Sequence, residues 1–158
     1  MQSGKSKLPA STKEFALAEW HYNHEDHRCP HDAWLENVSI REIVAPENIQ
    51  HRILEIVIRL LGAYHDGYIE LIYKDVLSYS LDLPYRRKKA PLPGKHGDWL
   101  VDEITFSPRS KVLHEIEWAE DATWMIECHD IEFKWIAKEN QDSIATSALL
   151  PIASSVTE

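Results

Sequence analysis

The chain has 158 residues, a length that suits one domain, and its 44% hydrophobic and 27% charged residues exclude disordered, collagen-like and disulfide-scaffold classes. Against 26 Asp and Glu stand 17 Lys and Arg, a formal charge of −9 that repels phosphate backbones and argues against nucleic acid as a direct ligand. Cys29 and Cys128 lie far apart without Cys-x-x-Cys spacing, which excludes a zinc ribbon or redox motif and predicts reduced thiols in a cytoplasmic protein.

In chain order, residues 1–14 are rich in Ser and Lys, carry no secretory apolar core and read as a flexible arm. Phe15, Leu17 and Trp20 open a short element, a first strand or a helical turn, and 21–32 reads as a polar loop. Ala33 to Ile43 carries Trp34, Val38 and Ile40 in a strand-like run that ends at Pro46. Between Arg52 and Leu81 two apolar runs meet at Tyr64-His65-Asp66-Gly67. Leu54, Ile56, Ile58 and Leu60 answer Ile69, Leu71 and Tyr73, and Asp-Gly supplies the positive φ angles of a tight primed turn, so a β-hairpin is expected. No apolar run approaches the roughly 18 residues that span a bilayer, because Arg59 and Asp66 interrupt the best candidate.

Residues 82–98 hold Pro84, Pro91, Pro93, Gly94 and Gly97 around the basic cluster Arg86, Arg87, Lys88 and Lys89, a long surface loop. Beyond it, four alternating runs predict an antiparallel meander: Leu100 to Phe106, Val112 to Trp118, Trp124 to Cys128 and Ile131 to Trp135. Turns are expected at Pro108–Ser110, Glu120–Asp121 and His129–Asp130. Residues 138–158 read as a tail with room for one helical turn near Ile144 to Leu150. The single domain over 15–137 is thus mainly β. Seven or eight strands with one apolar and one charged face are best buried as an antiparallel β-sandwich, with a partly closed barrel as second choice.

Two surfaces carry chemistry. The segment 21–32 includes His24, His27, Cys29 and His31, every one a zinc-ligand type. On an extended strand, His27 and His31 would lie about 13 Å apart, too far for one metal at about 2 Å unless the chain bends at Pro30 or a distant histidine such as His65, His96 or His114 joins. A metal-dependent enzyme or sensor, using zinc or another divalent ion, is the alternative reading; the first expects no cofactor. His65 with Asp66, and His96 with Asp98, each offer an imidazole beside a carboxylate, but turn and junction chemistry already account for both acids. No Gly-x-Ser-x-Gly elbow or phosphate loop is present, and no catalytic residue is assigned.

The second surface is acidic. From Trp99 to Asp142 there are eleven acidic and four basic residues, a local net of −7, and several of the acids alternate with apolar residues. Glu115, Glu117, Glu120, Asp121, Glu127 and Asp130 are the expected partner-facing residues, with Tyr64, His65 and Trp99 as loop contacts. A basic protein partner would relieve the self-repulsion of such a face.

The run Cys29-Pro30-His31-Asp32-Ala33-Trp34-Leu35, followed by Leu60-Leu61-Gly62-Ala63-Tyr64-His65-Asp66-Gly67, resembles a pattern in small bacterial proteins. Over Trp20 to Ile136 the profile of one acidic, cysteine-poor, sheet-rich domain is similar to that of bacterial immunity proteins. The resemblance implies a non-enzymatic cytoplasmic inhibitor that neutralises a toxin by binding it, without membrane or nucleic-acid contact.

Overall fold

The computed structural model describes residues 7–85 and 95–139. The basic cluster Arg86 to Lys89 and the expected helical turn near Ile144 to Leu150 lie outside them. Among the described residues the chain is mainly β, with one helix, α1 (Ala10–Ala16), and six strands: β1 (Trp34–Ala45), β2 (Asn48–Leu61), β3 (Gly67–Asp82), β4 (Trp99–Phe106), β5 (Val112–Trp118) and β6 (Thr123–Ala137). All pair antiparallel in one sheet of order β1-β2-β3-β6-β5-β4, so two three-stranded meanders join through the long β3–β6 ladder. The sheet is not closed into a barrel. Its edges meet at one end, where Trp34 bridges Asp98 and the Trp99 N–H donates to the Ala33 carbonyl at 2.9 Å.

Period-two alternation sets the faces. In β5, Val112, His114, Ile116 and Trp118 are buried while Leu113, Glu115 and Glu117 point the other way. Ile56, Ile58 and Leu60 of β2 and Ile69, Leu71 and Tyr73 of β3 extend the same core, as do Ile126 and Ile131 of β6. The expected His129–Asp130 turn is continuous strand instead. His129 faces Asp75 of β3 at 3.1 Å, and the irregularity falls in β3 between Val76 and Ser78, so two predicted strands merge into β6.

The hairpin forms, but its loop differs from a primed turn. The Gly62 N–H donates to the Gly67 carbonyl and the His65 N–H to the Gly62 carbonyl, so the loop is 62–66 and the positive φ, 59°, falls on His65. Gly67 is required for close approach: a Cβ there would sit 2.2 Å from the Trp135 ring.

The arm also departs from expectation, since α1 occupies 10–16 and buries Thr12 and Phe15. A seven-residue helix is marginal alone. It persists because Asp130 of β6 accepts from Ser11 Oγ at 2.6 Å, Thr12 Oγ1 at 2.6 Å and the Thr12 N–H at 3.2 Å, while Phe15 stacks on Phe133. Cys29 and Cys128 are buried free thiols, and burial pushes Cys128 up to about 12. No described helix is long and apolar enough to cross a membrane.

Candidate functional site

On the outer face of β3, β6, β5 and β4 a cavity of about 410 Å³ opens, lined by the side chains of Ser80, Val101, Glu103, Glu115, Glu117 and Met125. The register explains the grouping. Glu103 lies opposite Glu115, Glu115 opposite Met125, and Glu117 opposite both Val101 and Thr123. Two glutamates directly across an antiparallel pair destabilise it by about 0.2–1 kcal/mol. Among the described residues, no cation pairs with Glu103, Glu115 or Glu117. A concave anionic surface with apolar Val101 and Met125, each nearly half exposed, can therefore receive a cationic or amphipathic group.

The other expected partner contacts are used within the molecule. Glu127 is buried and takes Arg109 and Ser78; the Arg109 guanidinium holds its carboxyl down at about 2. Asp130 holds α1, and although burial pushes its carboxyl up, the Ser11 and Thr12 hydrogen bonds prevail and lower it. Trp99 is 1% exposed and part of the core, so it is no loop contact; the main-chain bonds to 32 and 33 turn it inward. Glu120 and Asp121 sit in the β5–β6 turn, Asp121 with a φ of 66°, and neither lines the cavity. Tyr64 and His65 are exposed at the hairpin loop, Tyr64 stacked on His27 and His65 edge-on to Trp34, distant in register from the cavity.

The histidine-rich segment is folded differently from a metal site. Cys29 points inward and its thiol donates to the His21 carbonyl at 3.0 Å; His24 stacks on His31; His27 pairs with Asp66. Among the described residues, no three His, Cys, Asp or Glu side chains group so as to hold a metal ion. The two suggested imidazole–carboxylate pairs are not formed either. Asp66 is taken by His27, and His96 packs against Trp118 and Trp124, where burial pushes it down.

A different polar cluster lies in the core. Asp102, 6% exposed, accepts from His21 Nε2 at 2.9 Å and from His114 Nε2 at 2.7 Å, and the Tyr73 hydroxyl meets His114 Nδ1 at 2.8 Å. His21 Nδ1 lies 2.9 Å from the Phe15 carbonyl, so both nitrogens of that ring have hydrogen-bond partners. Burial alone would push the Asp102 carboxyl up; the bonds from His114 and His21 prevail and hold it well below the usual range. Burial also keeps Tyr73 a neutral phenol, raised well above its ordinary value. With His21, Tyr73 and His114 at most 1% exposed, no substrate reaches these atoms. The cluster fastens the segment carrying His21 to β4 and β5.

Sequence reasoning passed over Glu103 and the Asp102 cluster, though both had a signal. Asp102 shares the phase of Ile104, which packs on the core, and His114 that of Val112 and Ile116, which marks buried polar groups that need each other. Glu103 follows from the same phase as the outward carboxylate facing Glu115. Neither a protein-family model, nor a curated protein, nor a solved structure matches the chain.

Proposed function

We propose that the chain is a non-enzymatic binding protein that docks a basic protein partner on the outer face of β4, β5 and β6, in the manner of an immunity-type toxin inhibitor acting in the cytoplasm. The observation that supports the reading is the trio Glu103, Glu115 and Glu117 around the cavity, which no cation among the described residues answers, where other sheet carboxylates have one. A lysine or arginine entering there relieves cross-strand repulsion that the free protein bears, and Val101 and Met125 give it apolar footing.

An oligolysine peptide titrated into the full chain tests the surface. Binding that weakens steeply with added salt and disappears when Glu103, Glu115 and Glu117 are all changed to Gln supports the reading. Absent or salt-independent binding contradicts it. The inhibitor role is tested by co-expression with the product of the adjacent gene. Suppressed toxicity that the triple Gln variant fails to provide is the expected result, and a harmless neighbour or an equally protective variant removes the role.

A further inference from the structure

Past Ile56, β1 and β2 leave the sheet as a two-stranded ribbon. β2 pairs with β3 only from Ile56 to Leu61, whereas β1 and β2 stay paired out to Ala45 and Asn48. Among the described residues, β1 makes extensive contact with β2 alone, and at its other edge Trp34 bridges Asp98, the residue before β4. Ile40 is 42% exposed, Val44 54% and Ile49 84%. Such a ribbon is marginal in water, and a third strand on an apolar face gives it independent stability.

Edge strands are normally guarded by charges that repel another strand. On β1 each charge is drawn sideways to the strand behind: Arg41 to Glu55 at 2.6 Å, Glu42 to Arg52 at 3.4 Å, Glu36 to Arg59 at 3.1 Å. The edge thus presents main-chain donors and acceptors with aliphatic side chains and little unneutralised charge.

We propose that β1 is an interface with a second copy of this chain, paired antiparallel across a two-fold axis at Ile40 to give a continuous β2-β1-β1-β2 sheet. A two-fold axis perpendicular to the sheet keeps each face on its own side, so only residues of the same face pair, and the axis falls on a residue. A bulge interrupts β1 between Leu35 and Asn37, and two registers overlap nearly all of the regular run 37–44. The one centred on Arg41 sets the Arg41 guanidinium against its own copy at the axis. The one centred on Ile40 sets Ser39 against Arg41 and Val38 against Glu42, opposes no like charges, and packs Ile40 on its own copy. Self-pairing therefore has one electrostatically favoured full-length register.

Sedimentation equilibrium of the full chain is the test. A reversible dimer is expected, with unchanged far-ultraviolet circular dichroism but a monomer–dimer midpoint raised at least about tenfold in Ile40→Lys, because two ammonium groups then meet at the axis. Ile40→Cys gives an independent check that adds no charge. It cross-links to its own copy on oxidation, whereas Ser39→Cys, whose nearest equivalent sits on the diagonal about 7–8 Å away, does not. Native Cys29 and Cys128 are buried and do not compete. A monomer at every soluble concentration overturns the proposal. So does a dimer that Ile40→Lys leaves unchanged, or one in which Ser39→Cys links as readily as Ile40→Cys.

Discussion

The two halves of the sheet handle charge in opposite ways. In β1–β3 the carboxylates meet guanidinium groups: Glu55 takes Arg41, Glu42 takes Arg52, and Glu36 and Glu70 share Arg59. In β4 and β5 two glutamates face each other across the ladder with a third beside them, and no described cation answers. The same residue type thus cements one half and strains the other. The difference lies in where arginine was placed, since β4 and β5 contain no Lys or Arg at all. Carboxylates that steady a fold are expected to lower stability when removed. Carboxylates kept for a partner are expected to leave stability unchanged or raise it.

The largest effect belongs to the buried acid. Asp102→Ala leaves His21 and His114 without their acceptor in the core and should cost about 3–5 kcal/mol in urea unfolding, the amount typical of breaking a buried ion pair. Tyr73→Phe removes only the hydroxyl facing His114 Nδ1 and should cost about 1–3 kcal/mol in the same measurement.

Acid should act through the paired carboxylates in the same direction. Glu127 is lowered from 4.5 to about 2, and Asp102, Asp130 and Glu132 are lowered too. A depressed carboxyl contributes stability above its unfolded value and loses it as pH falls through the folded value. For Glu127 that window runs from 4.5 down to about 2. Thermal midpoints should fall across it, and Glu127→Gln should flatten part of that slope. An unchanged slope would separate the Arg109–Glu127 contact from the acid response. The smallest effects belong to the cavity: Glu103→Gln, Glu115→Gln and Glu117→Gln should each change stability by about 0 to 1 kcal/mol, in the stabilising direction, as cross-strand repulsion is relieved.

These contrasts follow how the sequence could be read. Alternation marked the arms of the hairpin and the inward side of β5, because burial there repeats every second residue. Gly67 was legible as a special position, but its reason, the Trp135 ring pressed against it, comes from a strand far away in sequence. Helix α1 is hidden in the sequence because its local signal is weak and Asp130 supplies what it lacks; alternation alone places that acid in a turn, whereas it lies within β6 and holds α1. Glu127 failed as a surface residue for a similar reason, since only the folded register brings Arg109 and Ser78 to it. Phase predicts which side a carboxylate faces, whereas its partner is a tertiary fact.

The most direct test joins both sides of the comparison in one variant, Glu103→Gln with Glu115→Gln and Glu117→Gln, measured for urea stability and for oligolysine binding. Stability equal to or above that of the parent chain together with lost binding is the predicted result. A clear loss of stability would show that these carboxylates hold the sheet together, and retained binding would show that the partner docks elsewhere.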